Sequence, residues 1–220
     1  MFSNIKHGWG DFDFKGFKGV CSYIQDPVKD ICKALTGTDE SKIITVEMDE
    51  EGPEWFLSIA PNEVRVYREG NPLEVRTSRH EFVKEFVNDV YRDIELWSKW
   101  RPDNDPDEAL SDIENNLFDV VYHELLRNCY TELNDWEKTK LKQLIGKNIF
   151  CCAYEFTYKY ELLTILENSD FDLSTYILLF NKDYPLDYLY QAWIKDDATV
   201  TDILTNMILE EKRRELNNEV

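Results

Sequence analysis

The apolar residues of this chain keep two different periods, and the change between them near Pro102 limits the folds open to it. Before that point, short β-branched and aromatic runs alternate with polar residues, the period of strands with one buried face. After it, apolar residues recur every three or four positions, the period of helices.

In the first part, Lys42–Met48 carries the cluster Ile43, Ile44, Thr45 and Val46. Trp55–Ala60 alternates Trp55, Leu57 and Ile59 with Phe56 and Ser58. Val64–Tyr67 places Val64 and Val66 on one face, and Leu73–Arg76 reads as a short edge strand. Pro61-Asn62 and Gly70-Asn71-Pro72 supply the turns. The pattern predicts a small antiparallel sheet of three to four strands with one buried face.

Two helices flank it. Asp26–Leu35 has Asp26 at the N-cap, Pro27 at the first helical position and Gly37 beyond its end. Ser78 opens a stronger helix, with Glu81 at capping-box spacing and a stripe of Phe82, Phe86, Val90, Ile94 and Trp97 running to about Trp100. A bare sheet this small needs such cover. Met1–Gly19, interrupted by Gly8, Gly10, Gly16 and Gly19, reads as a loop or a short irregular strand pair.

Beyond Pro102 the expected elements are all helical. Glu108–Tyr130 comes first. Asn134, with Glu137 three residues on, is expected to cap a separate helix that reaches Ile145 and breaks at Gly146. Ile149–Leu166, Leu173–Phe180, Pro185–Ile194 and Thr199–Leu216 follow. The fold class is therefore α+β: a small antiparallel sheet with a covering helix, then an α-helical bundle. Residues 1–101 form the α+β part and 102–220 the helical part, a division that one shared core or two would satisfy.

Charge bounds the function. The chain holds 44 Asp and Glu against 25 Lys and Arg, a formal net charge of −19 on 220 residues. Residues 102–220 carry 25 of those acids against 11 bases, so the helical part holds most of the field. Nucleic acid and anionic membrane are repelled, and basic protein surfaces are attracted. Trp, Tyr and Phe make up 14% of the residues, ample for a core, so the acidity does not mean disorder. No apolar run is long enough to cross a membrane, and Met1–Gly10 has no signal-like pattern. Five cysteines, two of them the adjacent Cys151 and Cys152, suit reduced thiols in the cytoplasm.

No catalytic motif stands out. Asp103-Asn104-Asp105-Pro106-Asp107-Glu108 with Glu114 puts acids at positions 1, 3, 5 and 12 of a calcium-type loop. Glu108 stands where that loop needs Gly, and Pro106 stiffens it. The preferred reading is a polar turn in which Asp105 or Asp107 caps the next helix, with no metal. His7, His80 and His123 share no metal-ligand spacing, and Gly146-Lys147-Asn148 lacks the rest of a phosphate loop. The carboxylate groups Asp11/Asp13, Asp49/Glu50/Glu51 and Asp196/Asp197 read as solvated turns. No cofactor and no catalytic residue are expected.

What remains is a surface. Trp97, Trp100, Trp136 and Trp193 fall near helix ends, and the segment from Asp183 to Tyr190 mixes Tyr with Asp. Aromatic anchors rimmed by acids suit an interface with a cationic protein. The residues expected to make it are Asp103, Asp105, Asp107, Asp183, Tyr184, Asp187, Tyr188, Asp196 and Asp197.

The stretch from Val20 to Trp100 runs short helix, acidic strand at Ile43–Met48, aromatic strand at Trp55–Ala60, strand at Val64–Tyr67 and Phe-rich helix. In this layout and in its acidity it resembles the small α+β bacterial immunity proteins encoded beside polymorphic or contact-dependent toxins. The resemblance covers under half the chain and assigns no functional residue. It implies a non-catalytic inhibitor that neutralises a basic toxin such as a nuclease. One alternative is a phage-type anti-defence protein whose carboxylates imitate spaced phosphates. Another is a carboxylate metal-dependent enzyme.

Overall fold

The computed structural model describes residues 1–6, 8–38, 42–52, 54–70, 73–101, 105–143 and 149–196. The chain divides into two compact units, Met1–Val120 and Val121–Val220.

The first unit begins with three strands, β1 (Phe2–Lys6), β2 (Trp9–Phe14) and β3 (Phe17–Cys21), paired as an antiparallel meander. A loop or irregular pair was the expectation for Met1–Gly19. The sheet forms because Gly10, Phe12 and Phe14 alternate with exposed residues along β2 and all three are buried. Phe14 pairs with Phe17, leaving Lys15 and Gly16 as a two-residue turn. Both have positive φ, 48° and 87°, the conformation that matches the right-handed twist of a hairpin.

Helix α1 (Pro27–Gly37) follows, and the Asp26 side chain accepts the Lys29 N–H at 3.1 Å. A second meander of β4 (Ile44–Asp49), β5 (Glu54–Ile59), β6 (Glu63–Tyr67) and β7 (Glu74–Ser78) lies in sheet order β4-β5-β6-β7. The buried residues of its two central strands are Trp55, Leu57, Ile59, Val64 and Val66, as the alternation requires. Helix α2 (Arg79–Arg92) starts where Ser78 accepts the Glu81 N–H at 3.2 Å.

The expected run to Trp100 is instead two helices. α2 ends at Arg92, and the short α3 (Ile94–Trp97) restarts after Asp93, whose φ of −108° and ψ of 25° leave the helical region. The change of direction brings Trp97 edge-on to Phe2, with ring centroids 5.1 Å apart. Packing decides that break.

The core of this unit is aromatic. Phe12 stacks on Trp55 at 4.5 Å, Phe14 meets Phe82 edge-on at 5.5 Å, and Phe2 meets Phe86 at 6.3 Å. Both sheets and α2 therefore contribute to one buried cluster.

Helix α4 (Pro106–Gln143) runs unbroken for 38 residues, and the boundary between the units falls within it. The helix expected to start at Asn134 is part of α4. Asn134 is exposed, while its neighbours Glu132 and Leu133 are buried. An Asn within a helix costs about 0.7 kcal/mol or less relative to Ala, far below the cost of nucleating another helix. The second unit continues with α5 (Ile149–Asn168), α6 (Leu173–Phe180) and α7 (Pro185–Asp196). The helix expected at Thr199–Leu216 lies outside the described residues. Among the described residues, no helix is long and apolar enough to cross a membrane.

Candidate functional site

In the second unit, helix α7 opens with Pro185, which has no N–H to leave unpaired. The next two backbone donors, Leu186 and Asp187, have no acceptor within their own helix. Glu132, on α4, supplies both. Its Oε2 accepts the Leu186 N–H at 3.0 Å and its Oε1 the Asp187 N–H at 2.7 Å. A buried carboxylate from another helix thus does the work of an N-cap, placed where the helix dipole favours negative charge.

That charge is balanced by Lys159 on α5, whose side chain is only 3% exposed. Its Nζ lies 2.9 Å from Asp187 Oδ1, 3.3 Å from Glu155 Oε1 and 3.5 Å from Glu132 Oε1. Glu155 Oε1 also accepts the Trp136 indole N–H at 2.8 Å. Burial pushes the Glu132 carboxyl above its ordinary range, against the pull of Lys159. Burial also works against the Lys159 charge. The carboxylates of Asp187, Glu132 and Glu155 outweigh it and hold the ammonium above the ordinary lysine range. One cation among three carboxylates leaves an excess of negative charge. It faces water at Asp187, whose side chain is 45% exposed.

Aromatic rings lock the same helices together. Tyr158 stacks on Trp193 at 4.0 Å, and Tyr154 and Tyr190 flank that indole at 5.9 and 6.3 Å. Tyr154 meets Trp193, Tyr158 meets Tyr190 and Lys159 meets Asp187, so rising numbers on α5 face falling numbers on α7. The two helices are antiparallel, with the ion network at the N-terminal end of α7.

The residues expected at an interface divide accordingly. Asp183, Tyr184, Asp187 and Tyr188 come together around the start of α7. Tyr184 is 67% exposed, Asp183 is exposed, and the Tyr188 ring lies under the Lys182 ammonium at 4.7 Å. Asp187 is half committed to Lys159. Asp105 and Asp107 belong to the first unit and to the start of α4, where Asp105 Oδ1 accepts the Asp107 N–H at 2.9 Å. Residues 106–114, positions 4 to 12 of the calcium-type loop, are helical and do not wrap an ion. Asp196 is the last residue of α7. Asp103 and Asp197 lie outside the described residues.

Sequence reading singled out Trp136 as an aromatic near a helix end and missed Glu132, Glu155 and Lys159. One signal was present: Lys159 is the single basic residue of 149–168, flanked by Tyr158 and Tyr160, with Glu155 one helical turn before it. Glu132 had none, because its partners lie 27 and 54 positions away.

Among the described residues, no group of three or more His, Cys, Asp or Glu is placed to hold a metal ion. Cys21, Cys32 and Cys129 are buried. Burial, with Glu50 nearby, pushes the Cys21 thiol up to about 12, and burial raises Cys32 and Cys129 as well. All three stay protonated at neutral pH and are not primed nucleophiles. Comparison with protein-family models, with curated proteins and with solved structures gives no match to this chain.

Proposed function

We propose that this protein is a non-catalytic inhibitor of the immunity-protein kind, acting by binding a basic protein such as a nuclease toxin in the cytoplasm. The observation that carries the reading is the ridge at the start of α7. Asp183, Tyr184, Asp187 and Tyr188 stand at the surface on a helix pinned from beneath by the Glu132–Lys159 network. Pinning matters because a preorganised surface loses little entropy on binding. Tyr184 supplies apolar area at low conformational cost, and Asp183 and Asp187 supply charge complementary to Lys and Arg. The net charge of −19 adds long-range attraction that speeds encounter with a cationic partner.

The test is capture from the native host with the intact protein and with an Asp183→Lys/Tyr184→Ala variant. The expected partner is basic and is lost with the variant. Its activity on nucleic acid falls to background at one equivalent of the intact protein. Association slows as salt rises. A neutral or acidic partner, or capture unaffected by the variant, overturns the proposal.

A further inference from the structure

The first unit holds a cleft of about 480 Å³ between α1, the Trp97–Arg101 segment and the early turns of α4, within the size range of small-ligand sites, roughly 300–1,000 Å³. Two indoles line it, Trp97 and Trp100, with centroids 5.0 Å apart. Three carboxylates line it too, those of Asp26, Asp30 and Asp112, against the two cations Lys29 and Arg101.

The second observation concerns hydrogen bonding. Trp97 is 2% exposed, and its indole Nε1 has no acceptor. The buried Nε of Arg101 has none either. Buried donors without partners are rare in folded proteins, and the two residues that carry these both line this cleft. The Trp100 indole, by contrast, donates to the Gln25 carbonyl at 3.0 Å.

These features narrow the ligand. A simple cation would answer the aspartates but cannot accept a hydrogen bond. A simple anion would accept from Trp97 and Arg101 but would meet three carboxylates. The site asks for one molecule with a cation at one end and an oxygen acceptor at the other. The flat indole faces favour a planar guanidinium over a compact ammonium, because it stacks and pairs with carboxylates through two parallel hydrogen bonds. Burial and the nearby Asp26 carboxylate raise the Asp30 carboxyl above the ordinary value, although Lys33 and Arg101 pull the other way.

We infer that the cleft binds an arginine residue, its guanidinium against Asp30 and Asp112 and its carbonyl or carboxylate oxygen on the Trp97 and Arg101 donors. The inference does not rest on the α7 ridge, which belongs to the other unit.

The experiment is calorimetric titration of the full chain with L-arginine, with acetyl-arginine amide and with citrulline, the neutral isostere. Arginine, in one form or both, should bind saturably at millimolar concentration or tighter. Saturation by the free amino acid alone marks a small-molecule site; saturation by the blocked amide marks a pocket for a polypeptide side chain. Citrulline should bind about tenfold more weakly. Asp30→Asn should weaken arginine by about tenfold and Trp97→Phe by about threefold, with native unfolding midpoints. The half-exposed Asp30→Asn keeps the test open should Trp97→Phe not fold. No saturation by either form, equal affinity for citrulline, or unchanged affinity in the variants overturns the inference.

Discussion

At the scale of single residues, Lys159 carries the most consequence. Its ammonium is enclosed by Asp187, Glu155 and Glu132. Lys159→Met would leave their charges without a counter-ion, and breaking a buried pair in this way costs about 3–5 kcal/mol. The loss should appear as a lower urea midpoint. Lys18→Met, which removes an exposed pair with Asp13, should leave the midpoint within error.

The pH dependence of that loss has a definite sign. The folded value for Lys159 lies above its ordinary 10.5, so its contribution is complete below 10.5 and fades as pH rises through the folded value. Glu132 runs the other way. Its folded value lies above 4.5, so the native state holds more protons than the unfolded one in that window, and its contribution becomes less favourable as pH rises through it. The stability gap between the wild type and Lys159→Met should therefore be level from about pH 7 to 9 and narrow in stronger alkali. A gap that widens there would contradict the network.

The buried thiols make a simpler test. Iodoacetamide at neutral pH, followed by peptide mapping, should leave Cys21, Cys32 and Cys129 unmodified until denaturant is added.

At the scale of elements, the close approach of the two sheets rests on one missing side chain. A Cβ on Gly19 of β3 would lie 2.7 Å from Nε1 of Trp55, in β5. That indole is fully buried, and its N–H donates to the Val20 carbonyl at 2.9 Å, so it has little room to yield. Gly19→Ala should cost about 1–3 kcal/mol by overpacking, read as a lower thermal midpoint. Gly16→Ala, which meets nothing nearby but has a φ of 87°, should cost through backbone strain alone.

Elements were legible where local signals agreed. Asp26, Pro27 and Ser78 mark helix starts that the structure realises, and the alternation in β5 and β6 marks its buried face. They misled where two signals competed. The glycines of the first nineteen residues masked the alternation of Phe12 and Phe14, and the capping pattern at Asn134 is overridden by a helix already formed.

At the scale of the whole molecule, charge dominates. A net charge of −19 makes the folded chain repel itself, and the carboxylates of Glu47 and Asp49 hold the Glu54 carboxyl above its ordinary value. Salt screens that repulsion over about 10 Å at 0.1 M. Thermal stability should therefore rise by a few degrees between low and physiological ionic strength, where about 1 kcal/mol corresponds to roughly 2–4 °C. The Lys159 network is buried, so the Lys159→Met deficit should persist across the same salt range.

Periodicity and charge are local or additive properties, so the sequence alone determined the α+β layout, most helix starts and the acidic field. Which acids stand at the surface, and which are consumed inside, depends on residues far apart in the chain meeting in space. Only the tertiary structure decided that Glu132 caps α7, that Asp187 shares Lys159, and that Trp97 and Arg101, with buried unpaired donors, line one cleft with Asp26, Asp30 and Asp112. Such pairings follow from packing and desolvation, and neither is written in the spacing of neighbouring residues.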